Sequence, residues 1–201
     1  MKLLVFSDVH SQKKYVDSLI KTAKEEKPDF LICAGDLADW GQNIVGIAKE
    51  FDKLEIPMIL IPGNHEENEE DLKKLVKETK NIIYLHSGSY AVNDVLFFGY
   101  GGGGFSKVDH VFERIIKKFK KTVKDQKVIF VTHAPVFETK TDVVPGIGHV
   151  GNKSILEAIK DIKPILVVCG HIHESAGKVD KIGNTVVVNP GPKGKIIELE
   201  F

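Results

Sequence analysis

Arginine is nearly absent. Of the 28 basic residues only Arg114 is an arginine, so phosphate recognition by clusters of planar guanidinium forks is ruled out, and lysine, backbone or metal must serve instead. Net charge is missing as well: Lys+Arg 28 against Asp+Glu 28 gives +0, so no overall field draws the chain to nucleic acid or an anionic membrane. No apolar run reaches the ~18 residues of a membrane span, and Met1-Lys2 leads straight into strand-like sequence rather than a leader. A cytoplasmic protein without membrane contact is expected. The two cysteines, Cys33 and Cys169, each follow an apolar run, which predicts core thiols rather than a disulfide or a zinc pair. Internal repeats and low-complexity linkers are lacking, and 201 residues suit one domain, residues 1–201.

What the sequence does contain is a set of apolar runs that each end in chemistry. The central one is Met58-Ile59-Leu60-Ile61, followed by Pro62-Gly63-Asn64-His65-Glu66, a tight turn that sets an amide, an imidazole and a carboxylate side by side. Four others behave alike: residues 3–6 lead into Asp8-Val9-His10, 30–33 into Gly35-Asp36, 128–131 into His133, and 165–168 into Gly170-His171-Ile172-His173. In open α/β sheets ligands sit outside the carboxyl ends of the strands, where these residues fall.

Strand and helix patterns alternate in the first half, which predicts a parallel sheet covered by helices. Strands are expected at 2–7, 29–33 and 57–61, with helices at 12–26, 42–51 and 68–77. From Ile82 the pattern turns to short strands, and a second sheet is expected to begin there, with a hairpin over Asn93-Asp94. An amphipathic helix at 108–123, an irregular stretch at 134–151, a helix at 153–162, a strand at 164–168, a hairpin over Gly183-Asn184 and a last strand at 195–201 complete the reading.

Taken singly Asp8-Val9-His10 is weak, since Asp-x-His after a strand is often only a hydrogen-bonded turn, and Gly170-His171-Ile172-His173 is stronger, since two imidazoles one residue apart can bracket a cation. Taken together, Asp8-x-His10, Gly35-Asp36, Gly63-Asn64-His65-Glu66, His133 and Gly170-His171-x-His173 resemble the calcineurin-like metallophosphoesterase superfamily. Asn189-Pro190-Gly191 further resembles its small branch related to bacterial cyclic-nucleotide phosphodiesterases. The resemblance implies an α/β fold, a four-layer α/β/β/α sandwich of two mixed sheets flanked by helices. It implies two divalent transition-metal ions (Mn, Fe, Zn, Ni or Co, with Mn favoured). Asp8, His10, Asp36 and His173 would hold one and Asp36, Asn64, His133 and His171 the other, with Asp36 bridging. Hard oxygen and imidazole donors suit such ions, and a pair of them activates a bridging water for in-line displacement at phosphorus.

The resemblance also casts His65 as a non-ligand that protonates the leaving alkoxide or stabilises the phosphoryl oxygens, with Asp39 orienting it. A second reading makes Asp39 the N-cap of the helix near Gln42. Phosphoprotein phosphatases of the superfamily carry arginine after that acid; here Trp40 stands, which argues against phosphopeptides and leaves Trp40 as loop packing or a platform for a flat substrate. His149 either reaches the substrate phosphate or serves its loop, and His86 and His110 read as surface residues. Gly99-Tyr100-Gly101-Gly102-Gly103-Gly104 copies a dinucleotide fingerprint but lacks the ribose-binding acid, so a flexible loop near the metals is expected. The function implied is hydrolysis of small phosphodiesters or phosphomonoesters. A nuclease related to DNA-repair exonucleases and a non-catalytic scaffold are the alternatives; nucleic acid is not the favoured partner, and the oligomeric state stays open, a dimer included.

Overall fold

In a computed structural model, which describes residues 1–66 and 68–200 apart from the Glu69 side chain, the chain runs β1 (Lys2–Phe6), α1 (Lys13–Glu26), β2 (Phe30–Cys33), α2 (Ile44–Asp52), β3 (Met58–Leu60), α3 (Glu69–Glu78) and β4 (Ile82–Tyr84). It continues with β5 (Gly88–Val92), β6 (Val95–Tyr100), α4 (His110–Lys120), β7 (Lys127–Thr132), β8 (Val143–Val144), β9 (Gly148–His149), α5 (Lys153–Ile162) and β10 (Leu166–Val168). A 3-10 turn at His173–Ser175, then β11 (Val179–Ile182), β12 (Thr185–Val188) and β13 (Lys195–Glu198) follow.

Two mixed sheets result, ordered β13-β1-β2-β3-β4 and β11-β12-β10-β7-β6-β5. In the first, β1 to β4 are parallel and β13 lies antiparallel on β1; in the second, β12, β10, β7 and β6 are parallel between antiparallel edges. The period of two within each strand sorts its side chains between two cores. Leu4 and Phe6 of β1 face the layer beneath α1 and α2, where Phe6 stacks on Phe51 at 5.3 Å, while Leu3 and Val5 face the other sheet. In β7, Val128 and Phe130 face α4 and α5, and Ile129 and Val131 join Leu3 and Val5 between the sheets. Three apolar layers between four layers of backbone are the expected sandwich. Each fully buried Phe or Leu contributes about 1.5–3 kcal/mol.

Several boundaries differ from expectation, each for a local reason. The second sheet begins at β5 and not at Ile82, because the crossover through α3 returns β4 to pair parallel with β3, Met58 opposite Ile82. The second helix starts at Ile44 rather than Gln42, since Gly41 and Asn43 both have left-handed φ, 71° and 58°. The fourth starts at His110 because Asp109 Oδ1 accepts the amide hydrogens of Val111 and Phe112, both at 2.9 Å. Within 134–151 a small ribbon of β8 and β9 forms. Of the last expected strand, Phe201 lies outside the described residues.

Candidate metal centre

All seven residues matched to metal ligands converge just beyond the carboxyl ends of β1, β2, β3, β7 and β10. His10 Nε2 and His173 Nε2 face each other at 3.1 Å, with His173 Nε2 3.6 Å from Asp8 Oδ1. At the other end Asn64 Oδ1 lies 3.0 Å from His133 Nε2 and 2.9 Å from His171 Nδ1. Asp36 joins the ends. Its Oδ1 accepts the His65 amide hydrogen at 3.0 Å, and its Oδ2 stands 3.3 Å from His133 Nε2 and 3.8 Å from His10 Nε2.

The donor set suits divalent ions. Two imidazole nitrogens aimed at one another make at most one hydrogen bond, whereas donor atoms about 3 Å apart form the edge of a coordination shell with bonds of about 2.1 Å. His133 Nδ1–H donates to the Ala34 carbonyl at 2.9 Å, which turns Nε2 toward the cluster as a ligand histidine requires. Oxygen and imidazole donors without thiolate complete the set. Cys33 and Cys169 are buried and free, and burial pushes Cys169 up to about 12, the wrong form for a ligand.

Charge is concentrated here in spite of burial. Burial would push Asp8 up, but its hydrogen bond with His173 and the charge on His133 hold it below the usual range. Burial likewise opposes His133, yet the Asp36 hydrogen bond and charge raise it to about 9, so in the metal-free site it carries a proton that an ion must displace. Burial and the neighbouring His133 push His171 down to about 4, leaving a neutral ring with an open lone pair. Asp8, His10, Asp36 and His171 all adopt left-handed φ between 48° and 71°, a conformation costing about 1–2 kcal/mol for an L-residue and concentrated at functional sites.

Gly63 allows the close approach behind this geometry. A Cβ there would overlap the Asp36 carboxylate. Glu66, 2% exposed, braces the same turn: Oε2 accepts the amide hydrogens of Asp36 at 2.9 Å and Gly63 at 2.8 Å, and Oε1 that of Ala38 at 2.7 Å. Burial pushes Glu66 up to about 7 against the pull of those bonds. Its sequence position beside His65 is visible; its orientation toward backbone amides about thirty residues away is not.

His65 stands at the rim. Its Nδ1–H donates to Asp39 Oδ1 at 3.1 Å, and its ring meets His10 edge-on at 4.7 Å. The Trp40 amide approaches the same nitrogen at 3.4 Å; one atom cannot both donate and accept, and the shorter, charge-assisted contact decides the tautomer. Asp39 is not the cap of α2, which Asn43 precedes. Trp40 is 71% exposed and lies over His65 with ring centroids 4.3 Å apart. His149 Nδ1–H donates to the buried Asp142 at 2.6 Å, and none of its described contacts reaches the cluster. His86 and His110 are exposed, as expected.

Two residues were missed by sequence reasoning. Asp142, fully buried, accepts the amide hydrogens of Glu138, Thr139 and Gly151 and thereby folds the stretch 134–151. Phe105, 65% exposed, sits at the end of the glycine run and meets the His171 ring edge-on at 4.7 Å. The glycine run itself lies beside the centre, the Gly102 amide donating to the Pro62 carbonyl at 2.8 Å. An exposed aromatic directly after glycines is the signal that could have found Phe105.

A family model for the calcineurin-like phosphoesterases matches residues 1–175, the span that carries every residue of the cluster. The chain belongs to the calcineurin-like phosphoesterase family. It is 32% identical to an uncharacterized protein of Methanocaldococcus jannaschii over 98% of this chain and 91% of that one. It is 29% identical to a probable glycerophosphodiester phosphodiesterase of Arcobacter nitrofigilis over 73% of this chain and 57% of that one. Among solved structures, the protein TT1561 of Thermus thermophilus superposes with a TM-score of 0.78 at 17% identity, covering 96% of this chain and 90% of its own. That likeness supports the fold of this family member and carries nothing about its substrate. No helix among the described residues is long and apolar enough to cross a membrane.

Proposed function

We propose that residues 1–201 form one domain that hydrolyses small phosphodiesters or phosphomonoesters with two divalent metal ions. The observation that carries the reading is Asp36 Oδ2, one oxygen facing His133 at 3.3 Å and His10 at 3.8 Å, the imidazoles of opposite ends of the cluster. Asp8, His10, Asp36 and His173 would hold one ion and Asp36, Asn64, His133 and His171 the other. When bound, ions at such a centre supply Lewis-acid stabilisation of phosphoryl oxygens and a nucleophile at neutral pH.

The chain's own residues do the rest. His65 is assigned to the leaving group: Asp39 holds its Nδ1–H, which fixes the ring and leaves Nε2 as the atom that delivers a proton to the departing alkoxide. Trp40, exposed and tilted over that ring at 35°, offers an aromatic plane to a flat substituent. The stretch 134–151, folded around Asp142, supplies the remaining choice among substrates, with His149 serving the loop.

Turnover of bis-p-nitrophenyl phosphate against p-nitrophenyl phosphate across Mn, Ni, Co, Zn and Mg tests this proposal, with the same panel repeated on Trp40→Arg. Metal-dependent release of p-nitrophenol is expected, fastest with Mn, and the substrate ranking should change in the variant. Absence of turnover with every metal would make the chain a scaffold on this fold. An unchanged ranking would return Trp40 to packing.

A further inference from the structure

A cavity of about 490 Å³ opens from the exposed side of the cluster, within the ~300–1,000 Å³ of small-molecule sites. His10 and His173 of the cluster line it together with Gln12, Tyr15, Pro192 and Lys193. Apart from Asp8, which belongs to the cluster, no carboxylate lines it. Lys193 is exposed, no described ion pair engages it, and a second ammonium, Lys14 Nζ, stands 4.7 Å from the Tyr15 ring centroid. The lining thus combines histidines suited to a metal-bound phosphoryl group, uncharged surface suited to a short spacer, and an ammonium suited to an anion.

The wall that carries Lys193 is fixed to the centre. Asn189, fully buried, donates from Nδ2 to the Ile172 carbonyl at 2.9 Å, between His171 and His173, and accepts the Gly191 amide hydrogen on Oδ1 at 3.1 Å. The Gly191 carbonyl accepts the Ser7 amide hydrogen at 3.2 Å, next to Asp8. Gly191 has φ 62°, and a Cβ there would lie 2.6 Å from that of Ala176. The turn 189–194 is therefore tied to both His173 and Asp8, and the backbone beneath Lys193 keeps its distance from them.

We infer that this groove is the subsite for the second substituent of the substrate, and that Lys193 pairs with an anionic group, carboxylate or phosphate, carried a few bonds from the phosphoryl centre. The inference rests on the phosphoesterase reading and narrows it to substrates with two anionic groups.

Calorimetric titration of the Mn-loaded protein with three stable phosphonates tests it: propylphosphonate, 4-phosphonobutyrate and 1,3-propanediphosphonate. The C–P bond resists hydrolysis, so binding is read without turnover. At least one of the two tailed anions should bind about five-fold tighter than propylphosphonate, the scale of one exposed charge pair; the tighter of them names the anion. Lys193→Ala should remove the preference, Lys193→Arg should keep it, and added salt should shrink it. Equal affinity for the three, or a preference that survives Lys193→Ala, would overturn the subsite. A protein that shows the preference yet hydrolyses neither bis-p-nitrophenyl phosphate nor p-nitrophenyl phosphate would overturn the phosphoesterase reading and leave the groove an anion subsite. One that hydrolyses either ester without the preference would do the reverse.

Discussion

The two ends of the cluster are built differently. At one end His133 has no exposed side-chain surface and donates to the Ala34 carbonyl, while Asp36, 3% exposed, is held by the His65 amide. At the other end the His173 side chain is 60% exposed on a short 3-10 turn and His10 is 13% exposed. Burial shields the first set, while His173 opens the second to solvent and the groove although Asp8 beside it is buried. Asp36 lies between the two ends.

Breaking the buried end should have the largest effect. Gly63→Ala would drive a methyl group into the Asp36 carboxylate, with an overpacking cost of about 1–3 kcal/mol or more. It is expected to lose metal from both ends and all measurable turnover while retaining its circular-dichroism spectrum. Retention of the wild-type metal content would mean that the close approach of Gly63 does not position Asp36.

His65→Asn comes next, because it touches the open end at a residue outside the seven proposed ligands. Both ions should stay, and the rate on alkyl or nucleoside esters should fall by about 10²–10⁴, the range for removing a general acid. The fall should be much smaller on p-nitrophenyl esters, whose leaving group needs no proton. An equal fall on both classes would assign His65 to the phosphoryl oxygens instead, and loss of metal would make it a ligand.

The smallest effect is expected from Glu66→Gln, which leaves ligands and leaving group alone. An amide in that position presents one NH₂ to backbone donors that the carboxylate now satisfies at Asp36, Gly63 and Ala38. A loss of about 1–3 kcal/mol is expected, read as a lower melting temperature with metal content preserved. An unchanged melting temperature would deny Glu66 its bracing role.

The seven positions of the cluster were legible because each follows an apolar run, and strand ends are where this class of sheet collects its chemistry. Glu66 was legible as a residue but not as a brace, since its three donors come from a turn about thirty residues away and from its own. The placement of β4 was hidden for a similar reason: three residues, Ile82–Tyr84, do not say which sheet they join, and the crossover through α3 decides it. Phe105 lies in a stretch without periodicity, so its place directly after the glycine run is its one trace in the sequence, and its position against His171 gives that trace a meaning. The left-handed backbone at Asp8, His10, Asp36 and His171 leaves no trace in composition.

The measurement that bears most directly on the shared carboxylate is elemental analysis of the metal-saturated protein beside its Asp36→Asn variant. Two transition-metal ions per chain are predicted for the wild type, and less than one for the variant, because one oxygen faces both ends. A wild type saturating at one ion, or an Asp36→Asn protein that still holds two, would contradict a two-ion centre joined through Asp36.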